Sequence, residues 1–303
     1  MMKSKTAKIG DWVVAIICFF VILLCVMPMI NLLAQSLSSA QAVINRRVTF
    51  WPVIHNMENN TFKLGATLDS YKYVFLDPDF SRSMYWTAIL TIICTLVSLI
   101  MTILCAYPLT YPRLKGKFII NTLIIFTMYF NAGTIPNYIL MRNLGLLNNP
   151  LVLIIPNCLS VFNMIILRSF FYGIPDSLRE SAEIDGANPI TVLLRIYLPL
   201  STSVLATLAL FYAVGRWNGF TDALLYINAA PQWIPIQLKL YQLIQNMSSI
   251  EVATVEMVSG AVPRASDAMK AAAIMFATLP ILVVYPWLQR YFITGVTIGA
   301  VKG

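Results

Sequence analysis

Charge is what this sequence has least of. It holds 21 basic and 13 acidic residues, 11% of 303, where soluble domains average about 25%. A fold facing water on every side could not be coated with so little polar side chain. That excludes a soluble enzyme, a disordered chain and a secreted disulfide scaffold. Histidine is nearly absent too: His55 stands alone, so neither a His-rich metal site nor a Ser-His-Asp triad can be assembled. The five cysteines, Cys18, Cys25, Cys94, Cys105 and Cys158, fall inside apolar runs and never as C-x-x-C. That is cysteine used as a small apolar residue, not a disulfide or metal framework. No G-x-x-x-x-G-K-[ST] occurs, so the chain does not bind ATP through a P-loop of its own. No internal repeat and no low-complexity stretch is found, which removes the inverted-repeat build of many secondary carriers.

Apolar sequence is what fills the chain: 58% of residues are hydrophobic and the mean hydropathy is +0.74. A net charge of +8 would elsewhere suggest nucleic acid, but at this hydropathy basic residues orient a membrane protein. A spanning helix needs about 20 residues to cross a core of roughly 30 Å. Charge-poor runs of that size predict six spans: Trp12–Ala34, Met84–Pro108, Phe118–Met141, Pro150–Tyr172, a fifth from after Pro199 to Tyr226, and Ala271–Gln289. The first follows Lys3, Lys5 and Lys8 like a signal peptide. It is too long for one and reads as a retained helix.

Six spans put both termini on one side. Segments 1–11, 109–117, 173–199 and 290–303 hold 10 basic residues in 61 positions; 35–83, 142–149 and 227–270 hold 9 in 101. The denser set is predicted cytoplasmic, and its shortest members weigh most. The expected division is therefore 1–83, comprising the N-terminal tail, first span and outer loop, and 84–303, a membrane core with a short cytoplasmic tail at 293–303. The outer loop 35–83 reads equally as a docking surface or as a linker with short interfacial helices.

The cytoplasmic loop at 173–200 is where the message concentrates. Ser177 and Glu180 fit an S-x-x-E capping box, predicting a helix from about Leu178. Glu180 and Glu183 suit the positive end of that helix, and Gly186 is placed to end it in a left-handed C-cap. Asn188 then caps a second helix with Pro189 at its first position, ending before Pro199. Two short helices around a turn make either a rigid knob for another protein or an amphipathic element on the membrane.

The spacing separates those readings. Glu180, Ala182, Gly186, Ile196, Leu198 and Pro199 fall in register with the EAA loop of ABC import permeases, with Ser181 in place of the first Ala. The flanking Ile174-Pro175 and Ile184-Asp185-Gly186-Ala187 resemble the carbohydrate-uptake, maltose-type branch. Trp217-Asn218 resembles a pair those permeases carry in span five. The ending Gly295-Val-Thr-Ile-Gly299-Ala-Val-Lys302-Gly303 resembles the tail of the maltose-type subunit that reaches between the ATPases. The resemblance covers roughly 70–303.

It implies an all-α integral membrane protein with the type I ABC importer permease fold, multi-pass in a bacterial cell membrane. Glu180, Ser181, Ala182, Glu183, Asp185 and Gly186 would form the coupling helix that sits in a cleft of an ATPase subunit. Gly299, Lys302 and Gly303 would contact the ATPases as well. The implied partners are a second, homologous permease, two ATP-binding cassette subunits and an extracellular solute-binding protein. The chain would perform no covalent chemistry and hold no cofactor, ATP and Mg being used by the ATPases. The solute would be a carbohydrate, and an oligosaccharide by the overall look.

Two charges inside spans remain. Arg216 lies in the outer half of span five, where a buried charge costs about 2.5–3.5 kcal/mol on insertion scales. It reads as a polar contact in a translocation cavity with Trp217 and Asn218, as a snorkelling side chain, or as one half of a pair with Asp222. The last is disfavoured, because six residues of continuous helix put the two on different faces. Arg168 reads as an interface anchor. Asn131, Asn157 and Asn163 line the pathway or hydrogen-bond between helices. Apart from Asp222 the spans carry no acid, where a proton- or sodium-coupled carrier would keep one at mid-membrane. A non-sugar solute on the same architecture, and an ATP-independent carrier, are the alternatives.

Overall fold

The computed structural model describes residues 5–56, 61–112, 114–254 and 266–300. In chain order these form α1 (Lys5–Ser36), α2 (Ala40–Ile44), β1 (Val53–Asn56), β2 (Thr61–Leu64), α3 (Asp69–Leu76), α4 (Pro78–Ala106), α5 (Lys117–Tyr129), α6 (Thr134–Asn143) and α7 (Val161–Tyr172). Then come α8 (Asp176–Ile184), α9 (Pro189–Val192), α10 (Leu198–Leu200), α11 (Thr202–Asn218), α12 (Thr221–Tyr226), α13 (Ile236–Thr254) and α14 (Ser266–Ala300). Among the described residues the fold is helical as expected, apart from one antiparallel hairpin with Val53 opposite Leu64 and His55 opposite Phe62.

Three helices among the described residues are long and apolar enough to cross a membrane: Asp11–Ser36, Pro78–Thr110 and Asp267–Val284. The other expected spans are interrupted. Over Phe118–Met141, α5 and α6 meet at a 113° bend. At that bend the Asn131 side chain accepts the Gly133 N–H at 2.9 Å, a local bond that competes with the helical ladder. Over Pro150–Tyr172 only α7 is α-helical. Pro150 opens a single 3₁₀ turn to Leu153, and Pro156 removes a further donor. Non-helical backbone is tolerated at membrane depth where protein or a cavity surrounds it. The last helix runs on to Ala300, where a tail from 293 was expected.

The chain divides into two compact units, 1–81 with 240–279 and 82–239 with 280–303. The sequence-based division placed 240–279 with the second. In the first unit, the segment read as an outer loop is folded around Ala34, Ala42, Val48 and Val53, with Phe62 packed against them. Ser38 ties it together, its hydroxyl donating to Ala34 O at 2.6 Å and accepting the Val53 N–H at 3.0 Å. Phe276 closes edge-on against Phe75, ring centroids 5.1 Å apart.

Among the described residues of the second unit, two apolar cores stand out. One gathers Met164, Leu167, Phe171, Val192, Tyr197 and Leu208. The other gathers Leu90, Val152, Leu153, Ala223, Ile227 and Leu238. Long-range polar bonds set its connections. Trp86 Nε1 donates to Trp233 O at 2.9 Å, and Thr87 Oγ1 accepts the buried Ile236 N–H at 2.7 Å. Asn148, in the left-handed region at φ 58, accepts the N–H groups of Asn228 and Ala229.

Candidate functional site

The α8–α9 elbow is built almost wholly from local bonds. Gly186 takes φ +81, a region where a Cβ costs an L-residue roughly 1–2 kcal/mol. Its N–H donates to Glu183 O at 3.1 Å and the Ala187 N–H to Ala182 O at 2.9 Å, the paired bonds of a Schellman motif. Asn188 Oδ1 accepts the Thr191 N–H at 2.8 Å with Pro189 at the first position, as expected. The start of α8 differs from expectation. Its N-cap is Pro175 and no side chain caps it, so the Ser177–Glu180 capping box does not form. The helix begins at Asp176, which leaves Ser177 inside the first turn, and Asp176 supplies the acid the helix dipole favours. The second helix does not stop at Leu198 either. A π turn over Leu193–Tyr197, with Leu198 N–H bonded to Leu193 O, lets the chain pass Pro199 and reach Leu200, bending by 83° into α11.

Beneath the elbow lies a joint that the sequence did not reveal. Arg179 is buried, with Asp176 at 3.0 Å and Glu183 at 3.7 Å. Its guanidinium lies 5.4 Å over the Tyr111 ring, a cation–π contact. Tyr107 Oη donates to Pro189 O at 2.8 Å and meets Tyr111 Oη at 2.9 Å. Its ring stands edge-on to Tyr197 and Phe171. Burial pushes the Tyr197 phenol above its ordinary value. The elbow is thus fastened to the end of α4 and to α7. Its outward side stays open: Glu180, Ser181, Glu183, Asp185 and Gly186 are exposed, Ala182 is half-buried, and Ile184 is 85% exposed.

An open cavity of about 1120 Å³ lies between α4, the 153–160 segment, α7 and α11, above the roughly 300–1000 Å³ usual for small-ligand clefts. Its polar lining includes Ser98, Asn157, Asn163, Tyr212, Arg216 and Asp222, with the Cys94 thiol beside them. Arg216 is buried and pairs with Asp222, Nη2 to Oδ1 at 3.1 Å, contrary to the expectation from helical geometry. The reason is a break. The helix ends at Asn218 and restarts at Thr221, so the six-residue spacing no longer maps onto one helix face. Gly219 makes the break close enough, because a Cβ there would come within 3.2 Å of Arg216 Nη2.

The expected path residues separate. Arg216 and Asn163 share the cavity; Trp217, Asn218 and Asn131 are not among its lining residues. Trp217 is buried, Asn218 Nδ2 bonds Val214 O, and Asn131 stays at the α5–α6 bend. Arg168 donates to Asn121 between α7 and α5. Tyr212 carries little signal in the sequence. It lines the cavity and meets Thr102 Oγ1 at 2.7 Å, and only its spacing of four from Arg216 hinted at a shared face. Of the expected tail, Lys302 and Gly303 lie outside the described residues, and Gly299 is in the last turns of α14.

Known proteins of this architecture are readily found. The chain is 42% identical to Protein LplC of Bacillus subtilis over 278 residues, 92% of this chain and 90% of that one. It is 38% identical to the polygalacturonan/rhamnogalacturonan transport system permease protein YtcP of the same species, over 93% and 94%. Among solved structures, a bacterial ABC transporter involved in the import of the acidic polysaccharide alginate includes a chain with TM-score 0.83 and 31% identity, covering 96% of this chain and 99% of that one. The family model for the inner membrane component of binding-protein-dependent transport systems matches residues 89–298. With more than two thirds of its length inside that match, the chain belongs to the binding-protein-dependent transport system inner membrane components.

Proposed function

We propose that this chain is a transmembrane subunit of an ATP-driven ABC importer that moves an oligosaccharide from a binding protein into the cytoplasm by alternating access. Family membership carries the importer reading, and the capped, outward-facing α8–α9 elbow supports it. In this reading Glu180, Ser181, Ala182, Glu183, Asp185 and Gly186 dock in a cleft of an ATPase subunit, and Gly299, Lys302 and Gly303 approach the ATPases from the C-terminus. The Tyr107–Tyr111–Arg179 joint carries the movement into α4 and α7. Six spans place both termini in the cytoplasm of a bacterial cell, with α5–α6 and the 150–172 stretch counted as broken spans. A second, homologous permease completes the pathway, and the large cavity with Asn163 forms this chain's share of it. The chain itself performs no covalent chemistry and holds no cofactor.

The carbohydrate assignment draws on the saccharide systems for which relatives are named. It is tested by reconstituting the full transporter with its binding protein and a panel of solutes. Saccharide-dependent stimulation of ATP hydrolysis is the expected result. Stimulation by a non-sugar alone would overturn the solute, and uptake indifferent to removal of the ATPase would overturn the importer.

A further inference from the structure

Arg216 has no free charge to offer a solute. Nη1 donates to Leu153 O at 3.3 Å, Nη2 to Gly219 O at 3.0 Å, and both reach the Asp222 carboxylate. Its Nε finds no partner among the described residues. Asp222 is equally engaged. It accepts the Ala223 N–H at 2.9 Å and the Asn157 amide at 3.5 Å. One turn earlier on α11, Tyr212 Oη accepts the Ser160 N–H at 3.2 Å. These bonds run from α11 and α12 to Leu153, Asn157 and Ser160, both ends and the middle of the non-helical segment that walls the cavity.

We infer that Arg216 and Asp222, assisted by Tyr212, are positioning residues that clamp the 153–160 segment as the cavity wall, and that Arg216 is not a binding site for a carboxylate on the solute. The pair cancels within the cavity, so its surface meets a passing molecule with hydroxyls, amides and apolar side chains. Removing one member strands a buried charge, and removing both does not. A clamp and a carboxylate site therefore respond oppositely to pairing the substitutions.

The test compares Arg216→Gln, Asp222→Asn and the two together in the full chain, co-expressed with its partners and with Cys18, Cys25, Cys105 and Cys158 replaced by Ser. Cys94 lines the cavity and is buried, so its labelling by a small maleimide in membranes reports the wall. Each single variant should label about tenfold faster than the parent, or fail to accumulate, and the pair should return to within about threefold, its two amides keeping neutral hydrogen bonds to Leu153 and Asn157 with no charge stranded. In reconstituted transporter, each single variant should lower ATP hydrolysis stimulated by a neutral and by a uronate oligosaccharide of equal length to the same degree. Only this last comparison rests on the importer reading. If no saccharide stimulates even the parent, that reading fails while the labelling still decides the clamp. Loss confined to the uronate in Arg216→Gln with Cys94 unchanged would overturn it. So would single variants that accumulate and label no faster than the parent, because the wall would then stand without the pair.

Discussion

In the α8–α9 elbow the turn itself is shaped by bonds that close within a few residues, Ala187 to Ala182 and Thr191 to Asn188, and only its fastening, Tyr107 to Pro189, is long-range. Around the cavity the equivalent bonds span 63 residues from Arg216 to Leu153 and 110 from Tyr212 to Thr102. A part held by local bonds keeps its shape when its neighbours shift, which suits a surface pressed on by another protein. A part held by distant bonds has a shape only while the helices are assembled in one arrangement.

That contrast can be broken experimentally. The largest effect belongs to Asp222→Ala, which leaves the Arg216 guanidinium buried without its partner and should cost about 3–5 kcal/mol. Thermal unfolding of the purified transporter would show it, and an unchanged midpoint would remove the distinction drawn above. Gly186→Val forces a β-branched residue to positive φ and should cost roughly 1–2 kcal/mol. Open space around the position means the strain is local, so the subunit should still insert while stimulated ATP hydrolysis falls at least tenfold. Asn188→Ala removes one cap and should cost about 1 kcal/mol, read as faster amide exchange confined to α9. Smallest in stability is Ile184→Ser, within about 0.5 kcal/mol as for other exposed positions. Co-purification of the ATPase is the sharper readout there, and full retention would exclude Ile184 from the docking face.

Legibility in the sequence followed the same divide. Gly186, Asn188 and Pro189 act through their own backbone, so their positions announced the elbow before any neighbour was known. The start of α8 lies two residues before the position that Ser177 and Glu180 suggest, because Pro175 pre-empts their motif from outside it. Arg179 looked like one more loop charge until Tyr111, from the other side of two helices, came to lie under it. Continuous helical geometry disfavours the Arg216–Asp222 pair, and the break at Gly219 makes that geometry inapplicable.

By itself the sequence determined the membrane class, through the scarcity of charge, and the elbow, through residues whose local preferences need no help. It also determined the family, because a motif set by spacing survives changes elsewhere. Only the tertiary structure decided where spans break, that the 35–83 segment folds around a hairpin, and which of Arg216, Trp217, Asn218, Asn131 and Asn163 meet in one cavity. Those outcomes depend on partners tens of residues distant, and a buried ion finds its partner by packing, not by sequence order.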